Sequence, residues 1–192
     1  MMEGKYSYEL KNSTWGQKPV NGMSFWNAVR FANWLTTGGT EDGVYTLNNV
    51  TNPEIRSITG NTDVSGFAIP AENEWYKAAY YKGGESNEYW LFTEQSDSQP
   101  NGNDTHSPTD VGTYGSRSSH CGTHDQGCNV WEWTEELLSI DEQDNYYRKL
   151  RGSSIYFNGN NSRSDVRLPY YRYNPGGTHG FPIVSITAIP EP

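Results

Sequence analysis

Cysteine is scarce in this chain: two residues in 192, Cys121 and Cys128, with none beyond position 128. That supply leaves room for one internal disulfide at most. Long apolar runs are also missing. No stretch is long enough to span a membrane, and no secretory leader pattern opens the chain. Cations are the minority, with 14 Lys and Arg against 23 Asp and Glu, and a net charge of −9 makes nucleic acid a poor partner. The acidic excess serves solubility, or supplies loops for divalent cations. Apolar residues are only 33% of the chain.

Aromatics, by contrast, are abundant. Seven Trp, 14 Tyr and 20 Gly describe a loop-rich fold built round aromatic anchors, which a disordered chain would lack. The length suits one domain with a sizeable core, and no repeat or linker divides it.

The densest motif is Gly127-Cys128-Asn129-Val130-Trp131-Glu132-Trp133-Thr134-Glu135. In a strand, Trp131 and Trp133 share one face and Glu132 points to the other. Two indoles can anchor a core, and a buried carboxylate between them needs a partner such as a cation. The plainer reading is an aromatic strand with an exposed Glu. Upstream, Ser24 caps a helix running to about Leu35, with Phe25, Ala28, Phe31, Ala32 and Leu35 on one side and Gly38-Gly39 as its stop. Val44–Leu47 reads as a short strand and 48–66 as a loop. Pro70 opens a second helix from about Ala71 to Tyr81, ended by Gly83-Gly84. Residues 84–118 are polar and aperiodic, as in a functional or ligand-ordered segment. Strands are expected round 129–134, 148–153 and 180–186, closing one sheet, with an exposed acidic stretch from Glu135 to Asp144.

Five further blocks surround the central motif, in order: Pro19–Ala28, continued by Phe31–Leu35; Ile69–Ala79; Leu150-Arg151-Gly152-Ser153-Ser154; Arg163-Ser164-Asp165-Val166-Arg167; and Gly180-Phe181-Pro182-Ile183-Val184. Together with the G-N-V-W-E-W-T-like run they resemble the formylglycine-generating-enzyme, or sulfatase-modifying-factor, domain family from residue 19 to 184. The resemblance implies an α+β fold with a C-type-lectin-like core, little regular secondary structure and long organised loops. It would span residues 1–188, with the family's first strands shortened. Ile189-Pro190-Glu191-Pro192 resembles the opening of a PEP-CTERM sorting signal, which implies a secreted or cell-surface protein of a Gram-negative bacterium.

The family's enzymes oxidise a peptide cysteine to formylglycine with copper and oxygen. They use two cysteines between the blocks matched here by Leu150–Ser154 and Arg163–Arg167. Here that interval, Ile155–Ser162, holds no cysteine. Ser154 matches the motif serine but cannot supply the soft ligands that Cu(I) requires. Related iron-dependent domains take their histidines largely from a helical domain this chain lacks. The expectation is therefore a noncatalytic member that does not use copper. The alternative is an oxidoreductase rebuilt on other ligands.

The resemblance also implies a structural Ca²⁺ held by the Asp125 side chain, the Cys128 and Val130 carbonyls and the Glu132 carboxylate, the all-oxygen set of a hard cation. Against this stands a turn capped by Asp125 and a Glu132–Arg pair. A second calcium site would fall in 90–115, where Asn101, Asn103, Asp104 and Asp110 are available. Cys121 and Cys128 read as a disulfide worth ~2–3 kcal/mol in an exported protein, or as two free thiols. With His120 and His124 they form an alternative zinc set whose spacing fits no standard pattern.

Residues 154–179 hold the Tyr, Asn, Ser, Gly and Arg typical of adaptable binding surfaces. Tyr156, Phe157, Asn158, Asn160, Tyr170, Tyr171, Tyr173 and His179 are the expected contacts for an extracellular glycan, peptide or protein. One group with this domain diversifies this segment by a retroelement, and the composition here is similar to its variable receptors. Taken singly, these rings and amides also suit loop packing. Arg163 and Arg167 are expected in buried pairs that support the fold.

Overall fold

The chain is described by a computed structural model, which covers residues 15–47, 65–84, 87–99, 106–113, 118–140 and 146–187. The expectations on residues 1–14, 48–64, 101–105 and 189–192 lie outside the described residues.

Helix α1, Phe25–Thr37, begins where the sequence places it. The Ser24 hydroxyl accepts the Asn27 amide at 3.3 Å, and the Asn27 side chain accepts the Ser24 amide at 3.0 Å. These reciprocal bonds fill two helix-terminal donors. At the other end Gly38 turns left-handed, φ 81°, and its N–H returns to the Trp34 carbonyl. Phe25, Ala28 and Ala32 are buried as expected, whereas Phe31 faces outward at 38% exposure.

Asn33 is buried instead, and it explains why Val44–Leu47 is not a strand. Its amide donates to the Tyr45 carbonyl at 2.8 Å, and its carbonyl oxygen accepts the Tyr45 amide at 2.9 Å. A side chain thus takes the place of a neighbouring strand. Val44, Tyr45 and Leu47 still enter the core.

Helix α2, Glu72–Tyr80, starts from Ala71, which has no side chain to cap it. Half of a capping box survives, because Glu74 accepts the Ala71 amide at 2.8 Å.

Strands β1 (Gly66–Ala68), β2 (Trp131–Ile140), β3 (Tyr146–Arg151), β4 (Leu168–Tyr171), β5 (His179–Gly180) and β6 (Val184–Ile186) complete the α+β architecture. The main sheet runs β4-β3-β2-β5, with β5 parallel to β2 and the other pairs antiparallel. Strand β6 leaves it to pair with β1, so the 180–186 segment serves two sheets rather than closing one. Strand β2 is longer than expected and has register shifts after Trp133.

The stretch from Glu135 is not wholly exposed. Glu135 is buried, and its carboxylate accepts the Tyr45 hydroxyl. Arg148 donates to the Glu135 carbonyl and lies 4.1 Å over the Phe25 ring. Trp131 and Trp133 are both buried on the core face, and the Trp133 indole donates to the Met23 carbonyl at 2.8 Å. A second, smaller cluster joins Trp75, Ala79 and Tyr80 of α2. Arg151, fully buried, lies 5.0 Å over Trp75 and 5.5 Å over Tyr80.

Candidate functional site

The turn before β2 is held by the segment after β3. The Cys128 amide donates to the Gly152 carbonyl at 2.8 Å, and the Ile155 amide donates to the Asn129 carbonyl at 3.2 Å. Gly152, at φ +91°, lies directly against the Gln126 carbonyl, where a Cβ would collide. Asp125 and Cys128 are both left-handed, φ 59° and 64°. Cys128 thus adopts a conformation better suited to glycine, at a cost of ~1 kcal/mol.

The expected disulfide is not formed. Both thiols are free, Cys121 exposed and Cys128 buried. They face different neighbours: Cys121 reaches the Lys77 carbonyl of α2, while Cys128 bonds Ser162. Burial pushes the Cys128 thiol up, so it stays protonated. Among the described residues, no three His, Cys, Asp or Glu side chains converge on a metal position. His120, Cys121, His124 and Cys128 therefore form no zinc set.

Among the described residues, Glu132 has no cationic partner. Its carboxylate accepts the Trp75 indole N–H. Burial, followed by the Asp125 charge, pushes its pKa up to about 8 against the indole bond that lowers it. Asp125 meanwhile accepts the Gly112 amide at 2.6 Å. The Asp125 charge thus adds to burial in raising the proton affinity of Glu132, and two carboxyl groups close to one turn are the donor chemistry a hard cation takes. Asp110, expected near a second site, is exposed and pairs with Lys18 at 3.2 Å.

The ligand-contact candidates divide into groups. Tyr156 and Phe157 stand out at 62% and 46% exposure. Phe157 packs edge-on against Trp131 at 5.7 Å, and Tyr156 lies 6.0 Å from His106. Asn158 and Asn160 are exposed beside them; Asn158 caps the 3₁₀ turn Gly159–Ser162 by accepting the Asn160 amide. Tyr171 and Tyr173 form a separate pair, centroids 5.4 Å apart. His179 is buried, edge-on to Tyr170 at 4.1 Å and to Trp133 at 5.6 Å. Burial lowers its pKa to about 4, so the imidazole is neutral near neutrality.

Ser153 Oγ and Ser154 Oγ, next in sequence to the Tyr156–Phe157 loop, and Nε1 of Trp131, against which Phe157 packs, are buried with no hydrogen-bond partner among the described residues. Buried polar atoms are nearly always paired, so a group of orphans calls for water or ligand. Trp26, Arg30 and Leu47 were not among the sequence candidates, yet they share a cleft with Tyr173. Trp26 and Arg30 are one turn apart on α1, but Leu47 and Tyr173 join them only through tertiary contact.

The sequence profile of the Sulfatase-modifying factor enzyme 1-like domain matches residues 4–186. No curated protein matches. Among solved structures, the chain is similar to Treponema denticola variable protein 1, at 18% identity and TM-score 0.61, covering 94% of this chain and 75% of that one. It is also similar to CarF, at 20% identity and TM-score 0.65 over 89% of this chain and 69% of that chain. PvdO from Pseudomonas aeruginosa matches at 16% identity and TM-score 0.56, over 88% and 62% of the respective chains.

Proposed function

The chain belongs to the sulfatase-modifying factor enzyme 1-like family, and on that premise we propose a noncatalytic member that binds a glycan, peptide or protein outside the cell. One observation carries the reading. The loop that in the parent enzymes holds paired cysteines here presents Tyr156 and Phe157 to solvent, beside unpaired Ser154 Oγ and Trp131 Nε1. Aromatic faces with buried donors beside them suit recognition, and they offer no thiolate pair for copper. The one nearby thiol, Cys128, is buried and protonated.

A structural Ca²⁺ belongs to this reading. Asp125, the Cys128 and Val130 carbonyls and Glu132 would hold it, and it would supply the positive charge that Glu132 lacks. The residue composition of 154–179 and the likeness to a variable protein favour, as a second form of the proposal, a receptor whose binding loop varies between relatives. Export to the surface of a Gram-negative bacterium remains part of the proposal. No helix among the described residues is long and apolar enough to cross a membrane.

Glycan and peptide arrays test the reading, probed with the wild type and with a Tyr156→Ser/Phe157→Ser variant. A saturable ligand whose binding falls about tenfold in the variant supports it. Folded protein with no discrete ligand on either array, and none on a folded-protein array probed in parallel, contradicts it and points to a purely structural matrix component.

A further inference from the structure

The chain holds Asn-Gly steps at 21–22, 101–102 and 158–159, of which the second lies outside the described residues. In this dipeptide the glycine nitrogen can attack the asparagine side-chain carbon, because glycine has no Cβ to obstruct the closing ring. Exposure alone would place that reaction at Asn158, which is open to solvent, before Asn21, which is partly covered. The local hydrogen bonds reverse the order.

Asn158 is committed. Its side-chain oxygen accepts the Asn160 amide at 3.1 Å and Asn161 Nδ2 at 3.3 Å. It caps the 3₁₀ turn with ψ 164°, and the nitrogen that would attack it belongs to Gly159, which is buried. Closing the ring there would break the cap and unwind the turn. Asn21 has no such ties. Neither its side chain nor the Gly22 amide has a hydrogen-bond partner among the described residues. Gly22 is left-handed, φ +69°, with open space where a side chain would stand. This step can rotate into the attacking geometry without losing a contact.

We propose that Asn21 is a site of spontaneous modification in the folded protein, converted through a succinimide to aspartate and isoaspartate, while the fold protects Asn158. The Gly22 nitrogen bonds to the Asn21 side-chain carbon, and ammonia leaves with the Gly22 amide proton. Water then opens the ring. Cleavage at the side-chain carbonyl gives aspartate. Cleavage at the main-chain carbonyl gives isoaspartate, with the chain running through Cβ. Water is the one co-reactant, and either product carries a new negative charge.

The turn is loose but its flanks are pinned. The Val20 carbonyl lies against Gly180, where a Cβ would meet it at 2.5 Å. Met23 donates its amide to the His179 carbonyl at 3.0 Å, and its own carbonyl accepts the Trp133 indole N–H at 2.8 Å. Aspartate keeps the backbone length and leaves these bonds in place. Isoaspartate adds a backbone carbon between the two anchored points, so it displaces Met23 from the Trp133 indole.

Peptide mapping by mass spectrometry tests the proposal on whole protein aged in mildly alkaline buffer, native and in urea. It reads the exchange of NH₂ for OH at each step, and an isoaspartate-specific O-methyltransferase counts the rearranged product. In native protein Asn21 converts at least about tenfold faster than Asn158. In urea, where the cap is gone, the two rates agree to within about threefold. The Trp133 indole ¹⁵N–¹H signal splits as isoaspartate accumulates. It stays single in Asn21→Asp, and in aged Asn21→Gln, whose side chain would have to close a larger ring. Native Asn158 converting as fast as Asn21 overturns the proposal. So does an Asn21 that converts in urea but not in the native protein. The same tenfold gap persisting in urea also overturns it, since sequence context and not the fold would then set the rates.

Discussion

Glu132 and Arg151 face each other in register across β2 and β3, yet they form no ion pair. Arg151 turns to the Ser164 carbonyl at 2.9 Å, to the Val166 carbonyl and towards Glu72 at 3.9 Å. Glu132 instead accepts the indole N–H of Trp75, whose ring face Arg151 covers at 5.0 Å, and it feels the Asp125 charge. The arginine that should neutralise this carboxylate is committed elsewhere, which is the physical case for a cation at the turn.

The carboxylate's raised pKa fixes the sign of a pH effect. Without a cation, Glu132 contributes its full stability below its ordinary value of 4.5 and loses it as pH rises through about 8. Melting curves in EDTA should therefore fall between pH 5 and 8.5, with Glu132 as one contributor. Calcium at about 100 times its dissociation constant adds ~2.7 kcal/mol, or roughly 5–10 °C for a chain of this size. Glu132→Gln should flatten the pH dependence and remove the calcium shift. Coincident wild-type curves with and without calcium at pH 8 would show that no such site exists.

Glu72 holds a buried charge cluster. It pairs with Arg167 at 2.7 Å, Lys149 at 3.3 Å and Arg151 at 3.9 Å. Glu72→Gln strands a fully buried guanidinium and should cost ~3–5 kcal/mol in urea unfolding. Arg163, also expected in a buried pair, forms only a surface pair with Asp165 at 2.9 Å. Arg163→Ala should leave the urea midpoint unchanged.

Helix α2 lacks a side-chain cap at Ala71, whose backbone is already extended, ψ 157°. Ala71→Ser adds an oxygen where an amide needs one and should stabilise the protein by ~1 kcal/mol. A thermal or urea midpoint that does not rise would mean that another group already satisfies this helix end.

The thiols should react in two phases. In native protein, one thiol per chain, Cys121, reacts with an aromatic disulfide reagent at once, and Cys128 reacts only on unfolding. Two unreactive positions that yield thiol only after reduction would restore the bridge.

Local signals were legible where chain neighbours decide the outcome. Ser24 and Gly38 bound α1, and the two indoles of β2 point inward because strand alternation requires it. The errors came where tertiary partners decide. The Asn33 side chain replaced a strand beside Tyr45, and the Tyr45 hydroxyl drew Glu135 into the core. Strand β4 was hidden in a segment rich in Tyr and Pro, which reads equally well as a binding loop. The candidate site divided for the same reason. Its aromatics were visible in the sequence, but burial of His179 and the pairing of Tyr173 with Trp26 depend on segments far apart in the chain.

The central claim is a family scaffold without the family's reaction. Mass-spectrometric turnover of a cysteine-containing sulfatase-motif peptide, with copper, oxygen and reductant supplied, tests it most directly. The account predicts no thiol-to-aldehyde conversion above a no-protein control, from protein shown to be folded. Conversion above that control would contradict it and require an active site built without paired cysteines in 155–162.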